Sequence, residues 1–216
     1  MVNIIVDNRE ISVEEGVPLL AACLENGIDI PNLCWMEGMG EPWAACRLCF
    51  VEIEGEKQPV TSCTVLTRSD MVVRTDTPAV RALQQSALAL LLSVHHVDCK
   101  NCHANRKCAL QDLARRLKVS LKPKHLENYL KPVERDETHP SLVYFPNRCV
   151  LCGKCIHVCR NLHGQPLISF ARRGFDTIVS FQGDDTVFNA ECTSCGACAA
   201  VCPVGALATK EMLNGL

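Results

Sequence analysis

The chain has 216 residues, enough for one large domain or two to three small ones, and 48% of them are hydrophobic, which excludes a chain that is disordered throughout. Its 22 basic and 24 acidic residues give a formal net charge of -2, so no polybasic surface indicates nucleic acid or an anionic membrane as a partner. The unusual feature is 16 cysteines, which predict disulfides in a secreted protein and metal ligation in a reducing compartment.

The N-terminal residues and the most apolar segment of the chain both favour a cytoplasmic protein. Residues 1–11 carry Asp7, Arg9 and Glu10 and lack a basic start followed by a long apolar stretch, so no signal peptide is expected. The most apolar run, Ala87 to Val94, is far shorter than the roughly 18 residues of a membrane span. We therefore expect no membrane insertion, and cysteines that are reduced and bind metal.

Residues 1–76 have the pattern of a small α+β domain. Asp7 and Asn8 join two β-rich runs, which indicates a hairpin. Pro18 near the start of the next apolar stretch and Gly27 just beyond it are typical of a helix. The predicted elements are strands at Val2–Val6, Arg9–Val13, Phe50–Ile53 and Met71–Arg74, and a helix at Val17–Asn26.

Four cysteines of this domain form the first candidate metal site: Cys34, Cys46, Cys49 and Cys63. Four thiolates suffice for one [2Fe-2S] cluster. The first two are separated by eleven residues, against about four in plant-type ferredoxins, so the spacing alone does not support that type. A structural zinc site with four thiolates remains an alternative.

Residues 77–118 change to a helical period. Thr77 is a candidate cap, Pro78 fits the first helical position, and apolar residues recur at helical spacing as far as Val94. A second helix is predicted at Ala109–Leu117. These residues are therefore predicted to form a small helical domain, followed by a proline-containing connector at residues 119–140.

A second candidate site lies between those helices: His95, His96, Cys99, Cys102 and Cys108. Three cysteines leave one ligand to be found. If the first helix continues to Cys99, either histidine could share its face, so spacing does not choose between them. Zinc bound by three cysteines and one histidine is the alternative.

Residues 141–216 contain an internal duplication of the pattern CxxCxxCxxxC. Three thiolates of one run can wrap one face of a cubane, and the fourth, expected to begin a helix, points toward the other cluster. Zinc gives no reason for the third cysteine or the second run. The predicted ligand sets are Cys149, Cys152, Cys155 and Cys202 for one [4Fe-4S] cluster, and Cys159, Cys192, Cys195 and Cys198 for the other.

The order of these groups resembles the N-terminal cluster region shared by [FeFe]-hydrogenases, the large cluster-bearing subunit of complex I and NAD-linked formate dehydrogenases. It is also similar to the small diaphorase subunit of NAD-linked nickel-iron hydrogenases. The resemblance is carried by Pro31-Asn32-Leu33-Cys34, Cys46-Arg47-Leu48-Cys49, His95 with Cys99, Cys102 and Cys108, Asn147-Arg148-Cys149-Val150-Leu151-Cys152, and Arg173-Gly174-Phe175.

This resemblance implies an N-terminal β-grasp ferredoxin domain with a [2Fe-2S] cluster, a helical domain whose [4Fe-4S] cluster is held by one histidine and three cysteines, and a C-terminal domain with two [4Fe-4S] clusters. It selects His95 over His96 as the histidine ligand. The remaining Cys23 is expected to be a buried core residue. The other histidines are expected to be solvated or structural, although His157 lies inside a cluster loop and could tune it; they are His103, His125, His139, His157 and His163.

The leading hypothesis is an electron-transfer subunit that links a flavin-containing NAD(P)H-oxidising subunit to a hydrogenase or formate dehydrogenase catalytic subunit. No GxGxxG after a strand and no P-loop occurs, so no catalytic centre of its own is expected. The alternatives are a free-standing polyferredoxin and a zinc-based interaction module.

Overall fold

A computed structural model describes residues 1–165, 167–192 and 195–214 of the chain. The chain forms two compact units, Met1–Leu88 with Arg116–Val119, and Ala89–Arg115 with Ser120–Leu216. The strands are β1 (Val2–Val6), β2 (Arg9–Val13), β3 (Phe50–Ile53), β4 (Val60–Thr61), β5 (Val72–Arg74), β6 (Leu142–Tyr144), β7 (Ile168–Ala171), β8 (Ile178–Phe181) and β9 (Leu207–Thr209). The helices are α1 (Leu19–Glu25), α2 (Pro78–Ser93), α3 (Ala109–Arg116), α4 (Lys154–His163), α5 (Asp185–Glu191), α6 (Ala197–Ala200) and α7 (Lys210–Asn214). No helix among the described residues is long and apolar enough to cross a bilayer.

The first unit is a five-stranded sheet with the strand order β2-β1-β5-β3-β4. Strand β1 is antiparallel to β2 and parallel to β5, and β3 is antiparallel to both β5 and β4. Alternate residues of β1, Val2, Ile4 and Val6, are buried. They form one core with the buried side of α1, including Leu19 and Leu20, because an alternating strand and a short apolar helix can each bury only one side.

The hairpin and α1 form where the sequence predicts them. Asp7 and Asn8 both have positive φ, 49° and 67°, as a two-residue type I′ turn requires. Gly27, at φ 71°, follows the end of α1. The helix begins two residues later than predicted because Pro18 has an extended ψ of 128°. Strand β4, which is only two residues long, is not predicted from the sequence.

Helix α2 begins at Pro78 as predicted, and the Thr77 Oγ1 atom accepts a hydrogen bond from the Val80 N–H at 3.2 Å. The helix ends at Ser93, so it does not continue through His95 and His96 to Cys99, and the condition for a shared helical face is not met. Helix α3 matches the predicted Ala109–Leu117 helix except for its last residue.

The second unit holds two pairs of antiparallel strands, β6 with β9 and β7 with β8. The two cysteine runs share the local structure around their third cysteines. Gly153 and Gly196, each directly after the second cysteine of its run, have φ of 77° and 57°. A helix begins after each glycine and contains the third cysteine, Cys155 or Cys198, in its first turn.

The fourth cysteines differ from the prediction, because neither begins a helix. Cys159 lies inside α4, which continues to His163, whereas Cys202 lies two residues beyond α6. Arg160 keeps the backbone N–H that an interior helical residue needs, so α4 can continue past Cys159. After the second run the chain has Pro203 at the equivalent position.

Candidate metal centres

The four cysteines of the first candidate site, Cys34, Cys46, Cys49 and Cys63, are all buried in the first unit. The Cys34 thiol donates to the Cys46 sulfur at 3.4 Å. The Ser62 N–H and hydroxyl both donate to the Cys49 carbonyl, at 2.8 Å and 2.9 Å, which fixes the neighbouring Cys63 beside Cys49. The structure thus brings together two pairs of sulfur atoms.

One sulfur of each pair is stabilised as a thiolate. The hydrogen bond from Cys34, together with backbone N–H donors such as that of Leu48, lowers the pKa of Cys46 to about 6. A hydrogen bond from Cys63 likewise lowers the pKa of Cys49. Thiolates are the ligand form of cysteine. The same hydrogen bonds raise the pKa of Cys34 and Cys63, so two of the four sulfur atoms are favoured as thiolates before a cation is bound.

Cys23 is a core residue, as predicted. It is fully buried on α1 among the apolar residues of the first unit. Burial raises the pKa of Cys23 to about 12, so this side chain remains a thiol.

The second candidate site is a cavity in the second unit with about 360 Å³ of empty space, part of it open to solvent. Its lining includes every candidate ligand of this group: His95, His96, Cys99, Cys102 and Cys108. The two histidines reach it although neither lies on a helix.

His95 and His96 differ in how they are held. The Nδ1 atom of His95 is shielded from solvent and has no hydrogen-bond partner, while the ring bonds to the backbone of Arg148. Burial lowers the pKa of His95 to about 4, which keeps the imidazole neutral. His96 is exposed. A neutral imidazole with one bare nitrogen and the other bonded to the backbone is the form in which histidine binds metals.

The duplicated cysteine runs line two further cavities of the second unit. Each cavity is lined by three cysteines of one run and the fourth cysteine of the other. The first, with about 340 Å³ of empty space, contains Cys149, Cys152, Cys155 and Cys202; the second, with about 350 Å³, contains Cys159, Cys192, Cys195 and Cys198.

Backbone donors already face two of these sulfur atoms. The Leu151 N–H donates to Cys149 Sγ at 3.4 Å, and the Ala206 N–H donates to Cys202 Sγ at 3.3 Å. Burial raises the pKa of Cys152 and Cys198 to about 12. These buried thiols therefore need a cationic partner before they lose their protons, which iron would supply.

Two polar side chains beside the cysteine runs were missed by sequence reasoning. The buried Tyr144 hydroxyl hydrogen-bonds to Cys149. His163, expected to be solvated or structural, lines the cavity that contains Cys159, Cys192, Cys195 and Cys198. Its Nε2 atom lies 3.6 Å from Cys195 Sγ. The sequence contains a signal for His163: it follows Cys155 and Cys159 at intervals of four residues, which places all three on one face of a helix. The strand residue Tyr144 has no comparable signal.

Within the described ranges, no group of three or more His, Cys, Asp or Glu side chains is arranged to hold a single metal ion. A cluster differs from a single ion because its protein ligands are divided among several iron atoms.

Three family models match the chain. They are a 2Fe-2S iron-sulfur cluster binding domain at residues 1–78, the NADH-ubiquinone oxidoreductase-G iron-sulfur binding region at residues 84–122, and a 4Fe-4S binding domain at residues 186–208. The chain is an iron-sulfur protein. The finding supports one [2Fe-2S] domain and [4Fe-4S] binding domains in a mixed α and β fold.

Curated relatives match almost the whole chain. The NADP-reducing hydrogenase subunit HndD of Solidesulfovibrio fructosivorans is 32% identical over 99% of this iron-sulfur protein, which spans 37% of that relative. The 75 kDa subunit of NADH-ubiquinone oxidoreductase of Reclinomonas americana is 33% identical over 97% of the chain, which spans 30% of it. The iron-sulfur protein therefore covers less than two fifths of the length of these relatives.

The chain also matches one chain of a solved structure over most of the length of both. The match is a chain of the crystal structure of NAD+-reducing [NiFe]-hydrogenase in the H2-reduced state, with 27% identity and a TM-score of 0.85. The alignment covers 97% of the iron-sulfur protein and 87% of the hydrogenase chain. These comparisons confirm the resemblance to complex I and hydrogenase iron-sulfur subunits.

Proposed function

We propose that this iron-sulfur protein is an electron-transfer subunit of a larger oxidoreductase and carries one [2Fe-2S] and three [4Fe-4S] clusters. Such clusters exchange single electrons. The proposed ligand sets are Cys34, Cys46, Cys49 and Cys63 for [2Fe-2S], and His95, Cys99, Cys102 and Cys108, then Cys149, Cys152, Cys155 and Cys202, then Cys159, Cys192, Cys195 and Cys198 for the [4Fe-4S] clusters.

One observation carries the proposal: each of three cavities in the second unit is lined by a complete candidate ligand set. A chance distribution of these eleven cysteines would not divide them among the three cavities as the predicted sets of three, four and four. The buried cysteine pairs of the first unit supply the remaining set.

We also propose a domain organisation, which is supported by the ranges of the three family-model matches, residues 1–78, 84–122 and 186–208. A β-grasp [2Fe-2S] domain would comprise residues 1–76, a helical domain with the histidine-ligated cluster residues 77–118, a connector residues 119–140, and a two-cluster domain residues 141–216. His95 is favoured over His96 because its buried Nδ1 lacks a partner while Arg148 supports the rest of the ring.

We propose that the partners are a flavin-containing NAD(P)H-oxidising subunit and a hydrogenase or formate dehydrogenase catalytic subunit. The support is the 97% coverage of the chain by a chain of an NAD+-reducing [NiFe]-hydrogenase. A hydride donor gives two electrons at once, and a flavin can divide them into single electrons for the clusters. A cytoplasmic location, away from disulfide-forming compartments, fits cysteines kept as cluster ligands.

A free-standing polyferredoxin is the second candidate. The exposed aromatic pair Tyr129 and Phe175, whose ring centroids are 4.8 Å apart, favours a subunit, since a partner can cover such a surface.

The test begins with anaerobic purification from the native source. We expect about 14 iron atoms per chain with similar acid-labile sulfide, and co-purifying chains that include a flavoprotein. Zinc in place of iron would contradict the cluster assignment. A fully loaded chain that purifies as a monodisperse monomer would leave the clusters in place but favour the free carrier.

A further inference from the structure

The His163 side chain lies between a candidate cluster ligand and a carboxylate. Its Nε2 atom is 3.6 Å from Cys195 Sγ, and its Nδ1 atom is 2.9 Å from Glu191 Oε2. The side chain is only 11% exposed, although Glu191 and Cys195 are at the surface. Both nitrogens of one nearly buried imidazole are therefore in polar contact.

The position of His163 follows from helix α4. Cys159 and His163 are four residues apart, so both face the cavity that also contains Cys192, Cys195 and Cys198. Gly164, at φ 67°, ends the helix by donating its N–H to the Arg160 carbonyl at 2.9 Å. His163 is thus fixed in the last turn of α4.

The chemistry of the two neighbours determines what His163 can do. A cysteine that binds iron has lost its proton, so its sulfur can only accept a hydrogen bond. Glu191 also presents an acceptor oxygen to the ring. Since a ligand sulfur can only accept, the contact between His163 Nε2 and Cys195 Sγ is an N–H···S hydrogen bond that His163 donates.

We propose that His163, oriented by Glu191, donates a hydrogen bond to Cys195 and raises the reduction potential of the cluster held by Cys159, Cys192, Cys195 and Cys198. The proposal rests on the ligand set proposed above. Reduction adds negative charge to a cluster, and a hydrogen bond donated to a ligand sulfur stabilises the more negative state. His163 is a positioning and tuning residue and takes no part in ligation.

Helix α4 also offers a matched control. His157, on the same helix, contacts Asn161 through Nε2 at 3.0 Å, and no contact between His157 and a cysteine sulfur occurs among the described residues. A general effect of losing a histidine from α4 should therefore be the same at both positions. A specific effect of the sulfur contact should arise only at His163.

The experiment is an EPR-monitored redox titration of the purified full chain with its clusters, at one fixed pH. In His163→Ala we expect one [4Fe-4S] signal to titrate at lower potential. At a given potential the ratio of reduced to oxidised cluster should fall about tenfold, which corresponds to a decrease of about 59 mV in the reduction potential of a one-electron couple. His163→Gln keeps an N–H donor of similar reach and should recover part of the shift. His157→Ala should leave all potentials unchanged.

Equal shifts in His163→Ala and His157→Ala, or no shift in either, would overturn the proposal. Loss of one cluster in both His163→Ala and His163→Gln would also overturn it, because His163 would then be needed for binding the cluster and not for tuning it. A wild-type protein that contains no iron would refute the proposed function itself, which separates the two failures.

Discussion

Gly205 is expected to be a position where one added methyl group is costly. It follows Cys202 by three residues and has φ 69°. A Cβ atom at Gly205 would lie 2.7 Å from Ala104 Cβ and 3.1 Å from the His103 ring. Ala104 cannot rotate away because its Cβ is fixed to the backbone. The loop after Cys202 can therefore approach the loop after Cys102 this closely only with glycine at 205.

The cost of Gly205→Ala has two parts. A left-handed conformation costs an alanine about 1–2 kcal/mol. Overpacking of a tight contact adds about 1–3 kcal/mol. Gly174→Ala is the matched control, since Gly174 lies in the same unit at φ 59° with nothing within 4 Å of the added Cβ. It should carry the backbone cost alone.

The assay is anaerobic thermal unfolding of the two variants and the wild type at one scan rate. With about 2–4 °C of Tm per kcal/mol for a chain of this size, Gly205→Ala should melt roughly 2–12 °C below Gly174→Ala. Its EPR spectrum should also change at the two clusters whose loops meet there. Equal melting temperatures for the two variants would refute the close approach of the two loops.

Three further predictions concern the histidine ligand, Cys23 and the electron donor. His95→Ala should remove or alter one [4Fe-4S] EPR signal while His96→Ala leaves all of them, and the reverse result would show that the wrong histidine was chosen. Cys23→Ala should keep every cluster and lose at most about 1–2 kcal/mol of unfolding free energy, measured by chemical denaturation, because it truncates a small core side chain; loss of the [2Fe-2S] spectrum would contradict the first ligand set. The purified chain should take electrons from dithionite but fail to bleach NADH or NADPH, since no dinucleotide-binding fingerprint occurs in its sequence, and rapid bleaching would reveal a nucleotide site that was overlooked.

The repetitive parts of the structure were predictable from the sequence. The alternation in β1 and the cap at Thr77 are local signals, and the structure places β1 and α2 where those signals predict. The cysteine spacing predicted which residues would share a cavity because a short CxxCxxC loop has few ways to present three sulfur atoms to one point.

The details that depend on nonlocal contacts were not predictable in the same way. Helix α2 ends at Ser93, so helical spacing could not relate the histidines to Cys99. His95 and His96 differ in their burial and in the contact between the His95 ring and the backbone of Arg148, which lies more than fifty residues further along the chain. The helical spacing of His163 from Cys159 was visible in the sequence. Its contact with Cys195 was not, because Cys195 is distant in sequence.

The segment around Arg148 connects residues of two proposed ligand sets. The backbone of Arg148 hydrogen-bonds to His95, and the His96 N–H donates to the Asn147 carbonyl at 2.6 Å. The next residue, Cys149, belongs to the proposed ligand set of another cluster. In the proposed assignment, one hydrogen bond and one peptide unit therefore connect a ligand of the histidine-bound cluster to a ligand of its neighbour. Because this connection uses the backbone, a substitution of the Arg148 side chain should change the local charge while preserving the connection.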